Sequence, residues 1–314
     1  VKDIIMGKAL LKLIRWPNLL ILILLQYFVH YYIIADFFSR EGYALAISHF
    51  DFAVLVLSLV FITAAGYIIN DVFDVEIDKI NKKDKQIVGK KITQSFAKQM
   101  HVVLSVIGVL LAFYVSYKVG NIKLAFIYVM IAFALYYYSL RYKRKLLLGN
   151  FVVSLLVALT VYLVWLFDFF ALQSQGQILI FNQKHLLFYL HIYAALAFSL
   201  SFLREIIKDI QDKEGDKEVG CKTMVIVWGE KAAKILAIAF ALFTMFIMGY
   251  FQYILQIADK TYAFWYFMIL MQPLTIYAIV KIWKAADKKD YQYISEFLKL
   301  VLVFGVLSIQ LIYF

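Results

Sequence analysis

The chain has 314 residues, 64% of them hydrophobic and 18% aromatic against 17% charged, and its formal net charge is +11. Water-soluble domains hold roughly 45–50% apolar and about 25% charged residues, so this composition excludes one, and a single cysteine, Cys221, excludes an intrachain disulfide. A basic excess of this size would suit nucleic acid, but its placement along the chain assigns it to membrane orientation instead.

Lys2, Lys8, Lys12 and Arg15 precede the first apolar run, which is long and followed by no small-residue cleavage site, so it reads as a retained span rather than a removed leader. Apolar windows follow at about 18–35, 50–69, 101–119, 122–140, 147–170, 186–207, 235–256, 262–283 and 297–314. Each approaches the ~20 residues a helix needs to cross hydrocarbon, where lipid offers no partner for backbone N–H and C=O groups. Residues 1–314 therefore read as one all-α, polytopic membrane domain of nine transmembrane helices around a central cavity. Of 32 lysines and arginines, 27 lie in the N-terminal segment and in the connections after spans two, four, six and eight. Only Arg40, Lys118, Lys123, Lys184 and Lys260 lie opposite. The positive-inside rule then puts the N-terminus and those four connections in the cytoplasm and the C-terminus across the membrane.

Acids contribute little to topology, yet they collect on the same side. Asp71, Asp74, Glu76, Asp78 and Asp84 follow span two; Glu205, Asp209, Asp212, Glu214, Asp216, Glu218 and Glu230 follow span six. If the helices continue past the apolar runs, Asn70, Asp74 and Asp78 recur at i, i+4, i+8, and Glu205, Asp209, Asp212 and Asp216 form a second stripe, with Gly215 loosening its last turn. Like charges so stacked repel, and the cost grows near lipid. Something positive should offset them. Carboxylate and amide oxygens are the ligands of Mg²⁺, which shares its remaining positions with substrate phosphates and water.

At these residues the sequence resembles the UbiA superfamily of intramembrane prenyltransferases. Asn70-Asp71-x-x-Asp74-x-x-x-Asp78 matches the family's N-D-x-x-D-x-x-x-D motif, and Asp212-x-x-x-Asp216 its D-x-x-x-D motif. In the opening "LIRWPN", Arg15 and Asn18 resemble the polar positions that begin the family's first helix. The resemblance implies a UbiA-like fold and Mg²⁺ held by Asn70, Asp71, Asp74, Asp78, Asp212 and Asp216, gripping the diphosphate of a polyprenyl donor. Asp71, Asp74, Asp212 and Lys143 would carry the chemistry. Arg15, Asn18, Asn81, Lys85, Tyr138, Arg144, Lys208 and Asp209 would bind substrate. Lys208 and Asp209, in "KDIQDKEGD", resemble the variant second motif of members related to the digeranylgeranylglyceryl phosphate synthases, which tilts the expected acceptor toward a prenylglyceryl phosphate lipid. Two departures stand out: "KKDKQ" replaces the R-P-x-R-P common after span two, and Tyr138 precedes Lys143 by five residues where the family's Y-x-x-x-K has four.

The implied partners are thus a prenyl diphosphate, a lipid-soluble acceptor and membrane lipids, with no nucleic acid. Phe133, Tyr136, Tyr137, Tyr138, Phe198 and Phe202 are candidates for the channel that takes the donor's tail, with most expected to pack or face lipid. The five histidines show no metal-ligand spacing, and Asp168 is expected at the outer membrane interface. One rival keeps the chemistry and changes the acceptor to an aromatic ring, a hydroxybenzoate or naphthoate of quinone synthesis. The other is a secondary transporter or cation channel, whose acids would lie near the bilayer midplane.

Overall fold

The computed structural model describes residues 2–81, 83, 86–176 and 183–313. Nine helices among them are long and apolar enough to cross a membrane: Trp16–Arg40, His49–Phe73, Gln94–Lys118, Ile122–Arg144, Leu148–Ser174, Lys184–Glu218, Met224–Ile257, Thr261–Lys284 and Lys288–Tyr313. These are the first to ninth spans below. They coincide with the predicted windows and run past them, because polar residues beyond hydrocarbon can continue a helix that apolar residues began.

That continuation matters most in the sixth span. Its 35 residues extend about 52 Å at 1.5 Å per residue, far beyond a hydrocarbon layer of about 30 Å. The surplus turns lift the second acidic stretch out of the apolar zone as unbroken helix. The second span instead stops at Phe73; Asp74 takes a non-helical backbone, and a short helix resumes over Val75–Asn81. Asp74 N still donates to Asn70 O and Asp78 N to Asp74 O, so the break bends the stripe without scattering it.

Packing explains why these two spans carry the acids. The second and sixth are the most buried, at 61% and 67% of their apolar windows, against 22% for the third. The first, second, fourth, fifth, sixth and ninth spans touch in that order and close a ring, while the third lies outside on the second and the seventh and eighth outside on the sixth and ninth. The third approaches at Gly108, whose carbonyl accepts from Ser58 Oγ at 2.7 Å; a Cβ there would lie 2.9 Å from the Ser58 carbonyl oxygen. Small residues permit such close backbone approach where lipid supplies no hydrophobic drive.

The first and eighth spans each contain a π-helical segment, Val29–Ile34 and Phe267–Met271, the latter two residues before Pro273, which has no N–H to give the ladder. The π turn of the first span aims His30 inward. Its Nδ1 lies 2.8 Å from Asp168 Oδ2 and its ring stacks on Phe52 at 3.7 Å. Asp168, expected at the outer membrane interface, is thus packed inside the bundle against His30. Both side chains are fully buried, and the pair bridges the first and fifth spans where hydrocarbon would make either one costly alone.

Candidate active site

A cavity of about 300 Å³, open at one end, runs down the middle of the ring. Among the described residues, only the six ring spans and the connections beside them line it. Its floor is aliphatic: Ile21, Leu22 and Leu25, Leu59, Ile131 and Leu135, and Val153, Leu156 and Val157. Of the aromatics proposed for a channel only Tyr138 lines it, joined by Tyr67; Phe133 and Tyr137 are exposed on the outside of the bundle. The mouth is polar and carries both acidic stretches.

On one side stand Asn70, Asp74 and Asp78. Asn70 Nδ2 donates to Asp74 Oδ2 at 2.9 Å, and the Lys143 ammonium bonds the other Asp74 oxygen and lies 3.3 Å from Asn70 Oδ1. The extra residue between Tyr138 and Lys143 is thus absorbed: Arg141 leaves helical geometry and a 3₁₀ turn, Tyr142–Arg144, brings Lys143 over Asp74 while Tyr138 still faces the cavity. Arg144 also lines the mouth and donates to Phe73 O, where the second span ends. Gly149 makes room for this turn, because a Cβ at that position would sit 2.5 Å from Lys143 Cα and 3.0 Å from the Tyr142 carbonyl oxygen. Backbone cannot rotate aside as a side chain can. Gly149→Ala is expected to displace Lys143 and to lower kcat/KM for the donor about 10²-fold in steady-state assays, the cost of a misplacement of roughly 1 Å at a catalytic group.

Asp71, expected as a metal ligand, is placed differently from Asn70, Asp74 and Asp78. It does not line the cavity; its carboxylate accepts from Arg15 Nη2 at 2.9 Å. Arg15 does line it, lies 4.8 Å from the Tyr67 ring centre, and adopts left-handed backbone at φ 53°, an uncommon geometry for a side chain of its size. Burial alone would lower the Arg15 pKa, but Asp71 and its neighbours outweigh burial and raise it, so this cation is fixed. Asn18 lines the cavity alongside and donates to Tyr67 OH at 3.3 Å.

On the opposite side the sixth span presents Ser201, Arg204, Glu205, Lys208, Asp209, Asp212 and Asp216, one stripe at i, i+3/i+4. Gly215 does not loosen the helix. It lets Asn81 approach, since a Cβ there would fall 2.5 Å from Asn81 Nδ2. Asn81 Nδ2 donates to Asp212 O at 2.8 Å, its Oδ1 accepts from Gly215 N, and Lys288 Nζ donates to its carbonyl. Asn81 is absent from the cavity wall, and its side chain clasps the two acidic stretches together. Lys85 and Asp84 lie outside the described residues. A second tie joins Lys222 N to Arg144 O, beside Cys221, which lines the mouth with its thiol pKa pushed up by burial and so stays a neutral thiol.

The donor set suits a hard cation. Asn70, Asp74, Asp78, Asp212 and Asp216 all face the same opening with oxygen ligands, and Asp212 Oδ1 is buried without a hydrogen-bond partner, a state that calls for one. Among the described residues no three acids already stand close enough to cage an ion, and the Lys143 ammonium rests on Asp74. What the sequence did not single out are Tyr67, Lys299, Asn150 (which donates to Asp209 Oδ2 at 2.9 Å) and the cavity-facing direction of Arg204 and Glu205.

Set beside known proteins, the chain matches the UbiA prenyltransferase family over residues 15–303. It belongs to that family, and it is a prenyltransferase. Similar relatives include the digeranylgeranylglyceryl phosphate synthase of Methanocaldococcus jannaschii, 31% identical over 83% of this chain and 85% of that one. The synthase of the same name from Methanothermobacter thermautotrophicus is 29% identical over 82% and 83%. Among solved structures, one of digeranylgeranylglyceryl phosphate synthase in membranes superposes with a TM-score of 0.62 at 26% identity over 97% of both chains. The UbiA homolog of Archaeoglobus fulgidus bound to GPP and Mg²⁺ gives 0.56 at 17% identity over 96% of this chain and 99% of that one, which establishes the fold. Membership in this family sets the transport reading aside, and the nine apolar helices make the prenyltransferase an integral, multi-pass membrane protein.

Proposed function

We propose that this prenyltransferase moves a polyprenyl group from a prenyl diphosphate to a prenylglyceryl phosphate lipid, with Mg²⁺, at the cytoplasmic face of the membrane. The observation that carries the reading is the convergence of both acidic stretches on the mouth of one cavity whose floor is aliphatic. From Asp74 down to Leu59 the second span descends 15 residues, about 22 Å of path for a hydrocarbon tail with its diphosphate at the top. The names of the similar relatives support the acceptor, and the distribution of lysine and arginine supports the orientation.

Mg²⁺ held by Asn70, Asp74, Asp78, Asp212 and Asp216 would supply positive charge to the departing diphosphate. Arg144 and Arg15 add fixed positive charge at the same mouth, with Lys143 beside them on Asp74, where it is worth most as the C–O bond of the donor breaks and its electron pair leaves with the diphosphate. Tyr67 and Tyr138 are the two aromatic rings that line the cavity among the described residues, and their faces would stabilise the allylic carbon as it gains positive charge. A hydroxyl oxygen of the acceptor then forms the new C–O bond, and its proton goes to Asp209, which faces the cavity one turn below Asp212 and is oriented by Asn150.

The deciding experiment incubates purified protein with radiolabelled geranylgeranyl diphosphate, Mg²⁺ and a panel of glyceryl-phosphate and aromatic acceptors. Labelled product with a prenylglyceryl phosphate and none with hydroxybenzoate or naphthoate is expected; the reverse pattern refutes this acceptor.

A further inference from the structure

Three cations occupy the cavity wall below the carboxylates, in a place the diphosphate chemistry does not use: Arg204 and Lys208 on the sixth span and Lys299 on the ninth. Arg204 and Lys208 hold one acid, Glu205, between them. Both Glu205 oxygens accept from Lys208 at 2.8–2.9 Å, Arg204 Nη1 lies 3.7 Å away, and Arg204 Nε donates to Ser295 O. Lys299 makes no direct ion pair or hydrogen bond among the described residues, and the acid that acts on it is Glu296, one turn earlier on the ninth span. Against Glu205 and Asp209, the two acids beside them on this stretch of wall, the three cations leave one positive charge in excess.

We infer that Arg204, Lys208 and Lys299 form the subsite for the phosphate monoester of the acceptor lipid, separate from the diphosphate site. The inference rests on the proposed function and deepens it. Charge is complementary in sign, because a phosphate monoester carries about −1.5 to −2 near neutral pH. Level is matched as well. The apolar run of the sixth span ends at Leu203 and that of the ninth begins at Leu300, so Arg204 and Lys299 stand where hydrocarbon gives way to headgroups, the depth a lipid phosphate already occupies. Cations placed only for orientation would point toward the lipid; these three point into the cavity. Order along the stripe agrees too. Asp212, Asp209 and Arg204 descend over eight residues, about 12 Å, which sets leaving group, attacked proton and acceptor phosphate in the sequence that a glyceryl phosphate with a free hydroxyl requires.

Lys299→Gln tests this, because an unpartnered side chain can be exchanged without orphaning a neighbour. In detergent free of phospholipid, the KM for the phosphorylated acceptor is expected to rise about 10-fold or more, the loss of one charge-assisted hydrogen bond, with the donor KM and kcat within about two-fold of wild type. Lys299→Arg should restore most of the affinity. The same lipid as its phosphate-free alcohol should be used poorly, and equally, by wild type and Lys299→Gln. An unchanged acceptor KM, a donor KM that rises equally, or an equal loss with the phosphate-free alcohol overturns the subsite. Wild-type protein that prenylates only aromatic acceptors overturns the proposed function itself, and the subsite falls with it.

Discussion

Asp212→Ala is expected to cut prenyl transfer by about 10³-fold, roughly 4 kcal/mol, while the protein still inserts, purifies and melts as wild type does. The second half of that expectation comes from its hydrogen bonds. Asp212 Oδ1 is buried without a partner, so removing the carboxylate leaves no new orphan, and the tie from Asn81 runs to the Asp212 backbone, which alanine keeps. Asp74 behaves otherwise. Deleting it would strand the buried Lys143 ammonium at a cost of about 3–5 kcal/mol, so lost activity in Asp74→Ala confuses folding with chemistry and Asp74→Asn is the better variant there. The same loss should follow EDTA treatment of wild type, with Mg²⁺ restoring turnover. Diphosphate release at the wild-type rate by Asp212→Ala, or transfer that survives thorough chelation, would remove the basis of the proposed site.

The parts of this architecture that were legible from sequence are those fixed by local pattern. Nine apolar windows become nine helices because backbone satisfaction in lipid leaves no other choice, and the i, i+4 spacing of Asn70, Asp74 and Asp78 survives a bend at Asp74 because the ladder bonds on either side persist. What remained hidden depends on contacts across long separations. Asp71 reads as a ligand by motif, yet Arg15, 56 residues away, takes its carboxylate. Asn81 reads as a substrate contact, yet it clasps Asp212 and Gly215 more than 130 residues on. Asp168 and His30 gave no sign of each other because 138 residues separate them and only the π turn in the first span aligns them. Lys299 looked like one more topological lysine; only the ring order of the spans reveals that it faces inward. A one-residue offset at Tyr138 and Lys143 was visible, but its remedy, a 3₁₀ turn made possible by Gly149, is a packing solution that no spacing rule encodes.

Asp209→Asn separates the two halves of the reaction. If Asp209 accepts the acceptor's proton, its loss should lower kcat for transfer by about 10²–10⁴-fold, the span of general-base contributions, while donor KM and metal requirement stay near wild type because Asp212, Asp216 and Lys143 are untouched. Stability should hold or rise, since the substitution removes a charge that burial disfavours and keeps a side chain able to meet Asn150 after an amide flip. Donor ionisation, which needs no base, should continue, so that in Asp209→Asn water captures the allylic cation and prenyl alcohol accumulates where wild type makes ether. A positioning role predicts something else: a higher acceptor KM, unchanged kcat and no alcohol. The ratio of prenyl alcohol to ether product, followed with labelled donor at saturating acceptor, therefore tells a proton acceptor from a scaffold, because only a missing base leaves a formed cation with nothing but water to react with.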